Sequence, residues 1–279
     1  MDYTVKAIRS VPLPYTQPLS EHTSTVYVTD YGVEATTLTH RPRYSDNLRK
    51  GREKFRVDQT TGELLEYTPY QSRADNLGGL RSSLNAVRRM VLANFHSQHL
   101  NELFITLTYG PDGGRSPPVL AADFKAFWHR LHYHYPETEY LVVYEPCEDG
   151  HFHAHMLLKQ TNNKPLYIPK ERLDRLWGHG STYVGRIRSV RATALYLSKM
   201  AGDKQRVAYI PAGFRVYRRS RGIVKPEPER MSRADLETFA KGNGYVLDHA
   251  DKLAVVGSTD SGEEVCLNVI THEYFKRGN

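Results

Sequence analysis

Apolar positions recur along the chain at two periods, and the switches between them mark out its elements. Over residues 80–95 they fall at Leu80, Leu84, Val87, Val91 and Phe95, three or four apart, while Arg81, Arg88 and Arg89 fall mostly elsewhere. That spacing predicts an amphipathic helix. Residues 102–109, rich in β-branched and aromatic side chains and closed by Gly-Pro-Asp-Gly-Gly, predict a strand. A second helix is expected over 123–135, with Phe124, Phe127, Trp128, Leu131 and Tyr135 on a core-packing stripe. Residues 139–160 then read as two strands joined by Pro146-Cys-Glu-Asp-Gly150, a turn-forming link that suits a hairpin. A short helix over 169–177 and a strand over 181–188, with Arg186 and Arg188 on one face, come next. Ser189 as N-cap and Gly202 just past the end bound a further helix over 190–201.

Hairpin-linked strands interleaved with helices predict an α+β domain, a central antiparallel sheet of about five strands with helices packed against it. The flanks carry weaker patterns. Residues 1–40 hold Pro12, Pro14 and Pro18 and one strand-like run at 23–29, and are expected as a loosely anchored arm. Residues 55–67 suggest a small hairpin turning at Thr61-Gly62. A charged helix over 226–244 and a hairpin over 252–270, turning at 259–262, suggest an accessory piece at the other end. The expected division is 1–75, 76–223 and 224–279.

The chain has 279 residues, enough for one large domain with appendages and a substantial core. Its two cysteines, Cys147 and Cys266, form no Cys-x-x-Cys spacing, which argues against a disulfide framework or a thiolate zinc site. The sequence holds no run approaching the roughly 20 apolar residues that span a bilayer, and it starts Met-Asp-Tyr-Thr-Val-Lys, unlike a signal peptide. A soluble, cytoplasmic protein without a membrane partner is the expectation. Lys and Arg total 38 against 31 Asp and Glu, a net charge of +7, and the pI is near 9.2. With 19 tyrosines among these charges, nucleic acid is the favoured partner. Two basic stretches interleave aromatic rings: Arg49, Lys50 and Arg52 between Tyr44 and Phe55, and Arg218, Arg219 and Arg221 following Phe214 and Tyr217. Both suit phosphate contact.

The candidate chemistry lies in residues 145–158. Side chains two apart in a strand share a face, so His153 and His155 project together while Ala154, Met156 and Leu158 face the other way. The turn would return His153 to a place opposite Glu145. One carboxylate with two imidazoles makes a three-ligand metal site with open positions, which suits catalysis better than structural closure. His151 shares the same face, so the pair could be His151 with His153; the apolar run starting at Met156 favours His153 with His155.

Three pieces stand in order: Phe104-Ile-Thr-Leu-Thr108, then His153-Ala-His155 with Glu145 upstream, then Tyr196-Leu-Ser-Lys199. Over residues 80–223 the chain resembles the HUH endonucleases, specifically the rolling-circle replication initiators of plasmids and single-stranded DNA phages. The resemblance implies histidines on a central strand, a tyrosine nucleophile on a neighbouring helix, and a bound Mg2+ or Mn2+ ion that polarises the scissile phosphate. It implies cleavage of one strand of single-stranded DNA at an origin hairpin, a 5′-phosphotyrosine link, a free 3′ hydroxyl and later rejoining, inside a bacterial host cell. Some phage initiators carry a second tyrosine three or four residues on, whereas positions 199 and 200 here are Lys and Met, so a single nucleophile is implied. Tyr196 lies roughly 120° from the stripe of Val190, Ala194, Leu197 and Ala201, free of the core, with Lys199 one turn further to stabilise a phenolate or phosphate charge. Candidate DNA contacts are Thr106, Thr108, Arg186, Arg188, Arg218, Arg219 and Arg221. No Walker-type loop occurs in the sequence, so unwinding would fall to a host helicase, with a host polymerase extending the 3′ end. A single-tyrosine relaxase or transposase would use the same residues, and a DNA-binding regulator without chemistry is the remaining alternative.

Overall fold

The computed structural model describes residues 4–10, 16–42, 55–57, 64–66, 70–96, 99–111, 113–114, 116–258 and 264–277. The chain divides into two compact units, Tyr70–Pro226 and a discontinuous one made of Met1–Pro69 with Glu227–Asn279. The discontinuous unit begins with β1 (Thr4–Ser10), β2 (Thr16–Thr29) and β3 (Gly32–Pro42), followed by the small antiparallel pair β4 (Phe55–Val57) and β5 (Leu64–Glu66). Ser24 and Val26 of β2, and Val33, Ala35 and Thr37 of β3, are buried in alternation with less buried neighbours, the period of a strand with one face on a core.

The unit Tyr70–Pro226 opens with a capping box in which Ser72 and Asp75 bond each other's main chain, and then α1 (Leu77–Asn94). Asn76 caps α1 through Gly79 N–H at 3.0 Å, so the helix starts three residues ahead of its first apolar position. After β6 (Glu102–Tyr109) comes α2 (Pro117–His134), which begins six residues before the expected Asp123 because proline at the first helical position is preset for helix. Next come β7 (Thr138–Pro146), β8 (Phe152–Gln160), α3 (Lys170–Trp177), β9 (Gly180–Gly185), α4 (Val190–Ser198), α5 (Lys204–Ala208) and β10 (Tyr217–Arg219). The expected helix over 190–201 tightens after Ser198 into a 3-10 turn, Lys199–Gly202. Ser198 Oγ donates back to the carbonyls of Ala194 (2.9 Å) and Leu195 (3.2 Å), competition for backbone acceptors that loosens a helix end. Arg186 and Arg188 lie past the end of β9, not on it as expected.

The five strands pair antiparallel in the order β10-β7-β8-β6-β9. Helices cover both faces. On one, Phe124 of α2 meets the rings of Tyr140 (5.2 Å) and Tyr144 (6.0 Å), and Phe127 meets Trp177 of α3 at 5.9 Å. On the other, α1 packs on α4, and Tyr196 of α4 stands edge-on to Phe104 of β6 at 6.2 Å. The β7–β8 turn is closed by Gly150 at φ +82, a conformation L side chains rarely adopt, with its N–H on Cys147 O at 3.2 Å.

The chain then enters the discontinuous unit again with β11 (Glu229–Ser232), α6 (Arg233–Gly242), β12 (Tyr245–Ser258) and β13 (Glu264–Arg277). These complete a six-stranded sheet of order β1-β12-β13-β3-β2-β11, antiparallel except where β1 runs parallel to β12. Its core gathers Val26, Val33, Ala35 and Leu236, with Met231, Phe239, Tyr245 and Phe275 against them. Gly32 is required at its place, because a Cβ there would lie 2.2 Å from Phe275 O. Residues 1–40 are therefore not a loose arm where described, and residues 229–232 start the supposed charged helix as a strand, with Ser232 as the cap at which helix begins. Both ends lack a core of their own and find one by pairing with each other. The expected turns at Thr61-Gly62 and 259–262, and the basic residues Arg49, Lys50 and Arg52, lie outside the described residues. Among the described residues no helix is long and apolar enough to cross a membrane.

Candidate active site

Directly opposed residues of paired strands share a face, and one such face collects the candidate chemistry. The β7–β8 register sets Glu145 opposite His153 and Val143 opposite His155. Thr106 of β6 stands on the far side of His155, with Tyr183 of β9 beyond it. Into this row α4 lowers Tyr196.

His155, 5% exposed, has both ring nitrogens engaged. Its Nδ1 is 3.1 Å from Thr106 Oγ1, while Nε2 is 2.9 Å from Glu145 Oε2 and 3.3 Å from the Tyr196 hydroxyl oxygen. A threonine hydroxyl can donate or accept, so rotating Thr106 allows either tautomer: Nε2–H donated to Glu145, or Nδ1–H donated to Thr106 with the Nε2 lone pair released. Glu145 is buried, and its second oxygen accepts from Arg206 Nη2 at 3.3 Å. Burial alone would raise this carboxyl; the hydrogen bond and charge of His155, with Arg206 and Lys199, more than offset it and hold it below the usual range. Burial and the neighbouring His155 push His153 down, keeping its imidazole in the neutral form that ligates metals.

His153 is not drawn in as closely as His155: the two ring centroids are 6.2 Å apart. His151 precedes β8, and its Nδ1 is bound to Asp149 at 2.8 Å in the turn, so the strand-borne pair is His153 and His155. Tyr196 is 38% exposed and meets the His155 ring edge-on at 5.3 Å. Burial first, then the Glu145 charge, raises its phenol, with Arg206 opposing. Lys199 Nζ sits 4.2 Å above the Tyr196 ring, a cation–π contact with the ring face.

Arg206 escaped sequence reasoning. It comes from α5, five residues long, which begins because the Asp203 carboxylate caps the N–H groups of Gln205 (3.0 Å) and Arg206 (3.1 Å). Five residues carry no usable periodicity. Its Nε donates to Pro146 O at 2.9 Å, so the guanidinium spans the end of β7 and the Glu145 carboxylate.

The proposed DNA contacts fall into different settings. Thr106 is committed to His155, and Thr108 lies on the same strand face, its carbonyl accepting from Trp177 Nε1 at 3.0 Å. Arg186 directs its guanidinium to the carbonyls of Leu100 and Glu102, whereas Arg188 and Arg221 are exposed. Arg218 and Arg219 lie in β10 beside a cleft of about 680 Å³ that Arg73, Arg215, Tyr140 and Tyr217 also line.

A further imidazole cluster had no counterpart in the sequence reading. His96, His99 and Glu102, at the joint between α1 and β6, bring their ligand atoms within 4.8 Å of one another, a group that could hold a metal ion. Burial pushes the Glu102 carboxyl up, although main-chain and imidazole groups of His96 oppose the shift.

Residues 102–205 match the model of a family of replication-associated proteins, the ORF2 type, which is consistent with a replication initiator. The match takes in Glu145, His153, His155, Tyr196 and Lys199 and ends one residue before Arg206. No curated protein and no solved structure matches the chain.

Proposed function

We propose that the chain is a replication initiator that nicks single-stranded origin DNA through Tyr196, with the chemistry carried by the unit Tyr70–Pro226. The observation that carries this reading is the assembly of a tyrosine hydroxyl 3.3 Å from an imidazole that is itself 2.9 Å from a buried carboxylate, three side chains from three elements. The matched family supports a role in replication. In the reaction the Tyr196 oxygen bonds to phosphorus as the bond from phosphorus to the 3′ oxygen breaks, the phenol losing a proton and the 3′ oxygen gaining one. The phosphodiester's energy is kept in the phosphotyrosine link, as rejoining requires.

Glu145, His153 and His155 would hold the divalent ion, Mg2+ or Mn2+. Two imidazoles and a carboxylate fit such an ion while leaving places for phosphate oxygens and water, and Thr106 on Nδ1 directs the Nε2 atom of His155 to the task. When bound, the ion supplies charge to polarise the scissile phosphate. Arg206 orients Glu145, and Lys199 packs its charge against the Tyr196 ring. Because the Glu145 charge raises the phenol, sharing that charge with an ion favours the phenolate only once the site is loaded. Arg188, Arg218, Arg219 and Arg221 would track the backbone of the substrate strand.

The test is Tyr196→Phe with Mn2+ and a single-stranded oligonucleotide pool. Wild-type protein is expected to give a DNA–protein adduct on a denaturing gel, mapped to Tyr196 by mass spectrometry, and the variant none while still binding DNA. An adduct that persists on another tyrosine removes Tyr196 from the mechanism. Binding with no adduct from wild type under any divalent ion turns the reading to a DNA-binding regulator.

A further inference from the structure

Where α1 gives way to β6 a second carboxylate meets two imidazoles. Glu102, 2% exposed, is the first residue of β6, and its two oxygens accept the main-chain N–H of His96 at 3.0 and 2.8 Å. The imidazoles come no closer than a longer distance: Oε1 is 3.5 Å from His96 Nδ1 and 3.8 Å from His99 Nδ1, with the two rings stacked at 4.8 Å. Hydrogen bonds of nitrogen to oxygen fall at about 2.7–3.2 Å. Donor atoms sharing one tetrahedral zinc ion, each about 2.0–2.2 Å from it, lie roughly 3.4 Å apart. The imidazoles thus stand from the carboxylate nearer a chelate's spacing than a hydrogen bond's.

We propose that His96, His99 and Glu102 form a zinc site, separate from the nuclease centre, that ties the end of α1 to the start of β6. Two imidazoles and one carboxylate are a donor set that zinc accepts, with the fourth place left to water. His96 lies two residues beyond the last residue of α1 and Glu102 is the first of β6, so closing the chelate fixes a joint between elements. Two cations of the neighbourhood are committed to other oxygens. Lys159, opposite Glu102, donates to the Asn94 carbonyl at 3.3 Å and its side-chain oxygen at 3.5 Å, and Arg186 donates to the carbonyls of Leu100 and Glu102. Glu102 is four residues along β6 from Thr106, about 13 Å at 3.3 Å per residue. Two-metal catalysis needs ions about 3.5–4 Å apart, so this ion's work is structural.

The experiment needs no DNA and stands whether or not the chain is a nuclease. Metal-stripped His153→Ala protein, which lacks one ligand of the nuclease centre, is titrated with zinc against a chromogenic chelator, and its melting temperature is recorded with and without the ion. One tightly held equivalent and a zinc-dependent rise in melting temperature are expected. Adding His99→Ala, a substitution at an exposed side chain that should not disturb folding, is expected to weaken zinc at least ~100-fold and remove the rise. On a wild-type background, His99→Ala should leave the Mn2+-dependent reaction within about twofold. Failure of the His153→Ala protein to hold zinc overturns the site, as does a zinc response that survives His99→Ala.

Discussion

Glu145 and Glu102 are both buried carboxylates on one sheet, each beside two histidines, yet their surroundings give them opposite characters. Glu145 is held down by an imidazole at hydrogen-bond distance and a guanidinium, and a phenol reaches the same imidazole. Glu102 is pushed up by burial and has its imidazoles at 3.5 and 3.8 Å. One arrangement suits moving charge during a reaction; the other suits an ion that stays. Residue composition alone does not separate them. The counter-charge and the presence of a hydroxyl do.

The sharpest way to break this comparison is to remove imidazoles from each side in turn. His153→Ala is expected to lower nicking by about 10³-fold with little change in melting temperature, since the ring is half-buried. His155→Ala should lose activity equally and also cost about 1–3 kcal/mol of stability, because Thr106 and Glu145 are left without a partner. Nicking rates beside thermal melts decide it; equal melts for the two variants would mean His155 is not the buried hub of the site. A smaller effect is expected from Arg206→Ala, which makes Glu145 resemble Glu102 by taking away its guanidinium: a loss of about 10–100-fold in metal affinity or rate, read from Mn2+ titrations of nicking. An unchanged metal dependence would show that Arg206 does not orient the carboxylate.

The smallest effect sharpens the contrast among the arginines. Replacing Arg218, Arg219 and Arg221 by Gln should flatten the log–log salt dependence of DNA binding by roughly 2–3 units. Arg186→Gln should leave that slope nearly unchanged and lower the melting temperature, because its guanidinium is engaged by the carbonyls of Leu100 and Glu102. Filter binding at several salt concentrations separates the two, and a slope change from Arg186 as large as one from Arg218 would reverse the assignment.

Local pattern carried the five-stranded sheet well. The alternation over 152–158 and the turn at 146–150 were enough to set Glu145 opposite His153, and the helical phase of Tyr196 separated it from the buried Val190, Ala194 and Leu197. What stayed hidden needed partners distant in sequence. The edge strand Tyr217–Arg219 reads as a charge run, because the pairing that makes it a strand is with Leu141, Val142 and Val143. The six-stranded sheet joins β3 to β13, a match with no local signature. His96-x-x-His99-x-x-Glu102 was visible as letters, but it straddles a helix end and a strand start, where neither period assigns a face.

The strand order of the six-stranded sheet has a consequence for synthesis on the ribosome. β3 is flanked by β2 and β13, and while β2 is made just before it, β13 begins 222 residues after β3 ends. At about 5–20 residues per second, the edge that β3 offers to β13 waits some 10–45 s for its partner. Every strand of the five-stranded sheet has by then been made, so the unit Tyr70–Pro226 can fold while that edge is still open. An unpaired strand edge is a template for another chain. The nascent protein is thus most exposed to misassembly at residues 32–42, and a pause in translation before residue 264 would lengthen that exposure without touching the candidate active site.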